Sequence, residues 1–274
     1  MEDNYQQQTE FEETNKSQEE TKINPVNDVV LWKAIALFLV AIIGLDLIAT
    51  VFSLIAKAIF GGQLKDNLPL AYRVSGVLQF LTYAVGIGIF LVIVGIPTLK
   101  KIYCKFKDIQ VYAKGFAYGI ILLVAQTAYG IVSTLIFGNV GSNENQEALV
   151  EMTKQTPILL GICVVIFAPI FEELAYRYAL FGTLHKKNRV LAYVVGLTIF
   201  GLIHFSFDAL FSGDIERIKV ELINLPSYLI CGGVLCYAYE KEESLLSSMT
   251  AHATNNLIAF IQMMILVYGG QQAA

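Results

Sequence analysis

Seven long apolar runs, near residues 30–60, 75–96, 113–137, 158–184, 190–207, 222–239 and 245–267, restrict this chain more than any other feature. A helix needs about 20 apolar residues to cross the hydrocarbon core of a bilayer, and the runs are of that order. Lipid offers no partners to backbone N–H and C=O groups, so each crossing must satisfy its own as a helix. The expected fold is therefore all-α, a polytopic membrane helix bundle of about seven transmembrane helices, with six to eight as the range. The first run is unusually long and is interrupted by Asp46 and Lys57, which leaves room for an interfacial piece. With 55% hydrophobic and 15% charged residues, the composition agrees with the bilayer as solvent.

Residues 1–27 are rich in Gln, Glu, Asn and Thr. They hold too little apolar surface to offset ordering entropy, and a disordered cytoplasmic tail is expected there. Neither the basic start nor the apolar core of a cleavable signal peptide lies close to Met1, so the first run, from about Val29, is expected to be an uncleaved anchor. Residues 28–150 then form N-terminal transmembrane helices, ahead of a second bundle over 151–268.

The loops suggest an orientation through the excess of Lys and Arg on the cytoplasmic side. With the N-terminus inside, one inner loop holds Lys100, Lys101, Lys105, Lys107 and Lys114, and another holds Lys186, Lys187 and Arg189. By this count 12 of the 19 Lys and Arg residues lie inside, which favours N-in and C-out. Eight of the 23 acidic residues fall in the first 28 positions, and the basic residues form no aromatic-interleaved stripe, so nucleic acid is not an expected partner. Cys104, Cys163, Cys231 and Cys236 have neither CxxC nor zinc-ribbon spacing and read as structural.

An ionisable side chain at bilayer depth costs roughly 2.5–3.5 kcal/mol or more, so each one asks for a partner or a function. The fourth run contains Glu172, Glu173 and Arg177. Glu173 and Arg177 stand at i and i+4 with the acid first, the favourable order for a helical ion pair. Glu172 points about 100° away and has no sequence-local partner. The fifth run ends in Phe200-Gly-Leu-Ile-His204, and the seventh holds His252 and Asn256 on one face. At 1.5 Å per residue, Glu172 and Asn256 lie ~18 Å, His204 ~21 Å and His252 ~12 Å from the inner ends of their spans. These depths overlap and allow a shared site in the middle to inner half of the membrane. Taken singly, each histidine reads more blandly as an interhelical hydrogen bond, and Asn256 as helix glue. His185, beside Lys186 and Lys187, reads as a solvated flank, Phe200 as packing, and the lone Gly115-x-x-x-Gly119 as weak evidence for dimerisation.

The order Glu-Glu-x-x-x-Arg, Phe-x-x-x-His, His-x-x-x-Asn, with Cys231-Gly-Gly233 and Ser244-Leu-Leu246 between the last two, resembles the CAAX protease and bacteriocin-processing (CPBP, or Abi) family of intramembrane peptidases. The resemblance covers residues 151–268 and makes that bundle the expected catalytic part. It implies hydrolysis of a peptide or membrane-protein segment in a membrane, for a bacterial chain the plasma membrane. Glu172 with His204 would activate water, and His252 with Asn256 would receive the oxyanion. Glu173 and Arg177 would fix the helix and local charge. Alternatively Glu172, His204 and His252 would form a His₂Glu site for a divalent metal such as zinc, although the absence of His-Glu-x-x-His argues against a conventional zinc protease. Two readings of other classes stand beside this one. The chain could be a non-catalytic membrane scaffold or bacteriocin-immunity protein. It could also be a proton-coupled transporter, against which the odd helix count and lack of inverted repeats speak.

Overall fold

A computed structural model describes residues 30–269, Cys104 excepted, and they are helical without a strand. The expected tail over 1–27 and Cys104 lie outside the described residues. Six helices are long and apolar enough to cross a membrane: α1 (Leu31–Phe60), α2 (Leu68–Ile102), α3 (Ile109–Phe137), α5 (Pro157–His185), α7 (Ile215–Glu242) and α8 (Leu245–Gly269). Between them lie α4 (Glu144–Gln155) and the shorter apolar α6 (Arg189–Leu202). The chain is an integral membrane protein with the helical bundle expected of it.

Several boundaries differ from the sequence reading, α2 and α7 among them, which begin seven residues earlier than their apolar runs. The fifth apolar run, read as 190–207, is helical only to Leu202, so α6 spans ~21 Å and stops short of a ~30 Å hydrocarbon core. The first run is one continuous helix with a π-helical turn at Val40–Gly44. α2 breaks at Gly95, whose φ of 73° a side chain would resist, two residues before Pro97. Lys33 Nζ of α1 meets the carbonyl of Val94 at 2.6 Å and Thr98 Oγ1 at 3.2 Å, serving groups at the break.

Inside a membrane, apolar burial does not drive helices together, so close van der Waals packing must. The Gly115/Gly119 pair serves this within the chain. A Cβ at Gly119 would lie 2.8 Å from the Ala251 carbonyl and 2.7 Å from Thr254 Cβ, and one at Gly115 2.7 Å from the Ser247 carbonyl. α3 and α8 therefore touch backbone to side chain along the stretch that carries His252. Gly232 of α7 does the same against α6, where a Cβ would meet Leu197 Cα at 2.9 Å. Phe171 of α5 stacks on Phe90 of α2 at 4.1 Å. Cys163, Cys231 and Cys236 are free and buried.

Contacts sort the helix ends into two faces. At one, Lys114 pairs with Glu242 at 2.7 Å and Lys105 reaches the Glu242 carbonyl at 3.0 Å. On the same face Glu240 binds Arg189 through both oxygens (2.6 and 2.9 Å), Tyr193 (2.6 Å) and His185 (2.7 Å). His185 is thus a paired group and not a solvated flank, because α7 brings a carboxylate to it from 55 residues away. At the opposite face sit α4, the segment after α6 and the start of α7.

Candidate active site

α5 departs from α-helical geometry where its polar residues lie, with π-helical stretches at Cys163–Phe167 and Glu173–Phe181. Such turns carry an extra residue, leave a carbonyl unclaimed and are frequent at functional sites. The unclaimed carbonyl here is that of Val164, which accepts from Asn256 Nδ2 at 2.8 Å. Asn256 therefore joins α8 to α5 with one N–H and keeps a second donor.

Glu173 and Arg177, both fully buried, form the ion pair expected from their spacing, with Arg177 Nη1 3.0 Å from Glu173 Oε1. The same Oε1 lies 3.0 Å from His252 Nδ1. Since the carboxylate can only accept, Nδ1 carries the proton and the ring is turned so that Nε2 faces Glu172 Oε2, 3.9 Å away. Glu172 Oε2 is buried and makes no hydrogen bond.

His204 Nδ1 lies 2.9 Å from the carbonyl of Phe200, one turn back. That carbonyl accepts a hydrogen bond from Nδ1–H, so the proton sits on Nδ1 and Nε2 keeps its lone pair. The ring stacks on Tyr228 at 4.6 Å between centroids. Phe200 packs, as expected, but at the centre of the cluster: the Arg177 guanidinium lies 4.2 Å over its ring, and His204 and His252 lie 5.0 and 5.8 Å from it.

His204 stands just past the end of α6, on irregular backbone within a membrane protein. Irregular backbone at such depth needs protein or a wet cavity around it. Asn143 Nδ2 reaches the His204 carbonyl at 3.4 Å, and Asn143 Oδ1 caps α4 by accepting from the Gln146 N–H at 3.1 Å. Glu221, 2% exposed, receives the N–H groups of Glu144 (3.0 Å) and Ser206 (3.1 Å), one on each oxygen. Glu144 in turn takes Ser206 Oγ at 2.7 Å and Arg217. Asn143, Glu221 and Tyr228 thus hold the His204 segment, and none of them was singled out in the sequence.

Glu172, His204, His252 and Asn256 line one cavity of about 460 Å³. It runs from the cluster to Ser142 and Asn143, so it extends toward the face opposite the basic loops. Glu173 and Arg177 lie behind its wall and are not among the lining residues. Among the described residues no three His, Cys, Asp or Glu side chains lie close enough to hold one metal ion. Glu172, His204 and His252 are not drawn together into such a group as placed.

Residues 154–258, which hold all six polar motif residues, match the family of Rce1-like type II CAAX prenyl endopeptidases. The resemblance drawn from the motifs therefore holds. The chain is similar to an uncharacterized protein of Mycoplasma capricolum, at 30% identity over 62% of this chain and 49% of that one. It is similar to the Bacillus subtilis protein named "Putative membrane peptidase YdiL", at 24% identity over 73% and 76%. It also resembles the membrane-embedded CAAX protease MroQ of Staphylococcus aureus, at 29% identity over 52% and 53%. The chain spans about half the length of the Mycoplasma and Staphylococcus relatives. No solved structure matches it.

Proposed function

We propose that the protein is an intramembrane endopeptidase that hydrolyses a peptide or membrane-protein segment. The observation that carries this is a buried carboxylate oxygen of Glu172 with no hydrogen-bond partner, on a cavity shared with two histidines. An unpartnered polar atom at such depth is costly unless something else occupies the cavity. In this reading a water lies between Glu172 and the lone pair of His204 Nε2. Glu172 takes its proton as the oxygen attacks the scissile carbonyl carbon, then passes that proton to the departing amine. The oxyanion receives N–H groups from His252 Nε2 and from the second donor of Asn256. For Nε2 to donate while Nδ1 faces Glu173, the ring must carry both protons, and Glu173 is the counter-ion that allows it. No step is routed through a metal.

The family match and the CAAX protease and membrane peptidase names among the similar proteins support this reading. The competing reading is a scaffold or immunity protein that uses the same fold without turnover. Purified protein should show hydrolysis that falls by at least ~100-fold in Glu172→Gln and in His204→Ala, the usual loss on removing a general base. Full complementation of a deletion phenotype by well-expressed Glu172→Gln would favour the scaffold. A bacterial plasma-membrane location with a cytoplasmic N-terminus belongs to this proposal.

A further inference from the structure

Nine of the 26 residues lining the cavity are Asn or Gln, and none is Lys or Arg. The one carboxylate among them is Glu172. Two carboxamide oxygens in this wall, Gln79 Oε1 of α2 and Asn255 Oδ1 of α8, are buried without a hydrogen-bond partner, and Asn255 is only 8% exposed. A polar wall of this kind needs a visitor that both donates and accepts. An extended polypeptide does so at every residue, and its backbone groups would be as costly at bilayer depth as the wall's own. A helix does not, because it has already spent them on itself. A helix ~10 Å across would also fill 460 Å³ within about one turn, whereas an unwound strand admits several residues.

The charge of the wall says which part of a polypeptide can enter. A free terminal carboxylate, or an Asp or Glu beside the scissile bond, would be desolvated next to Glu172, and the one cation of the wall, the doubly protonated His252 ring, is already countered by Glu173. A buried unpaired charge of that kind is strongly disfavoured. We infer that the cavity takes an extended, uncharged peptide segment through hydrogen bonds from its backbone to the carboxamide wall, and that the bond cut is internal, away from a free C-terminus. This rests on the endopeptidase reading above and narrows it to a substrate class.

The test uses the purified full chain in micelles with an equimolar mixture of short synthetic peptides, analysed by mass spectrometry against Glu172→Ala. Each peptide is supplied with a free and an amidated C-terminus, and some carry a farnesylated cysteine. The expected result is Glu172-dependent cleavage of internal bonds flanked by uncharged residues, unchanged by amidation. Gln79→Leu and Asn255→Leu, checked for folding by elution and melting temperature, should raise KM about two- to tenfold with kcat near wild type, the size of one lost hydrogen bond each. Asn255→Ala replaces the leucine variant if that one does not fold. Cleavage that requires a free carboxylate, a lipidated cysteine or a charged neighbour overturns this proposal but leaves the peptidase standing, as does an unchanged KM in both wall variants. Absence of any cleavage above Glu172→Ala overturns the peptidase reading, and this inference with it.

Discussion

Glu173 offers one oxygen to two partners, Arg177 and His252, each 3.0 Å away, and all three are buried. Removing one member of a buried ion pair leaves the other charge uncompensated, which costs about 3–5 kcal/mol. Arg177→Leu is thus expected to lower stability by about that amount, read by unfolding in micelles. The double variant Glu173→Leu/Arg177→Leu removes both charges and is expected to be more stable than Arg177→Leu alone, yet to remain inactive, because nothing then sets the His252 ring. Equal stability of the single and double variants would show that the unpaired charge is not the origin of the cost. The pair itself was legible in the sequence, since its spacing is a property of one helix. Its link to His252 was not, because that contact joins residues 79 positions apart. Glu221 escaped for a different reason: it stands one residue before the apolar run that begins at 222, so hydropathy assigns it to a loop.

α4 shows what hydropathy does not mark at the scale of an element. Its segment carries too many polar residues to read as a span, yet it supplies the Asn143 and Glu144 contacts that hold the His204 backbone. The Arg217 guanidinium and then the Ser206 hydroxyl hold the Glu144 carboxyl below the usual carboxylate range. A carboxyl depressed in the folded state contributes stability that is present above its unfolded value, ~4.3, and is lost as the pH falls through the lower folded value. Glu144 is 38% exposed, so salt weakens the contribution. Hydrogen exchange over 144–155, corrected for intrinsic rate, should therefore stay slow at neutral pH and quicken only below about pH 4. Glu144→Gln should exchange faster at neutral pH already, and unchanged exchange would show that the Glu144 contacts to Ser206 and Arg217 do not hold α4. The α3–α8 contact makes a second prediction. Gly119→Val puts a branched side chain where a Cβ alone would meet the Ala251 carbonyl at 2.8 Å, so α8 must shift with His252 on it. The expected outcome is a loss of stability of at least about 1–3 kcal/mol, the usual cost of overpacking, with a larger loss of turnover than of expression. The GxxxG spacing could be seen in the sequence, but spacing alone does not say whether the partner helix belongs to the same chain.

For the whole molecule, the two faces defined by contacts differ in charge and in what they offer a substrate. Lys105, Lys114 and Arg189 bind Glu240 or Glu242 at one face, while the cavity extends to Ser142 and Asn143 at the other. α6, at ~21 Å, ends before it can reach that second face, and the irregular segment after it places His204 on the cavity instead. The sequence reading put the shared site in the middle to inner half by counting rises from the inner ends; the cavity instead joins the cluster to the face of α4. Counting along helices gives depth but not the direction in which a cavity runs, since that depends on which helix stops short. If Lys and Arg excess sets the orientation as it does for short loops, the cavity faces the outer side of the membrane and the basic loops face the cytoplasm. In a cysteine-free variant, a single cysteine at Lys107 should then resist an impermeant thiol reagent added to intact cells and react after permeabilisation. One at Asn139, exposed beyond the end of α3, should react from outside in intact cells. The reverse pattern would invert the orientation and bring the substrate from the cytoplasm, leaving the geometry of the cluster unaffected.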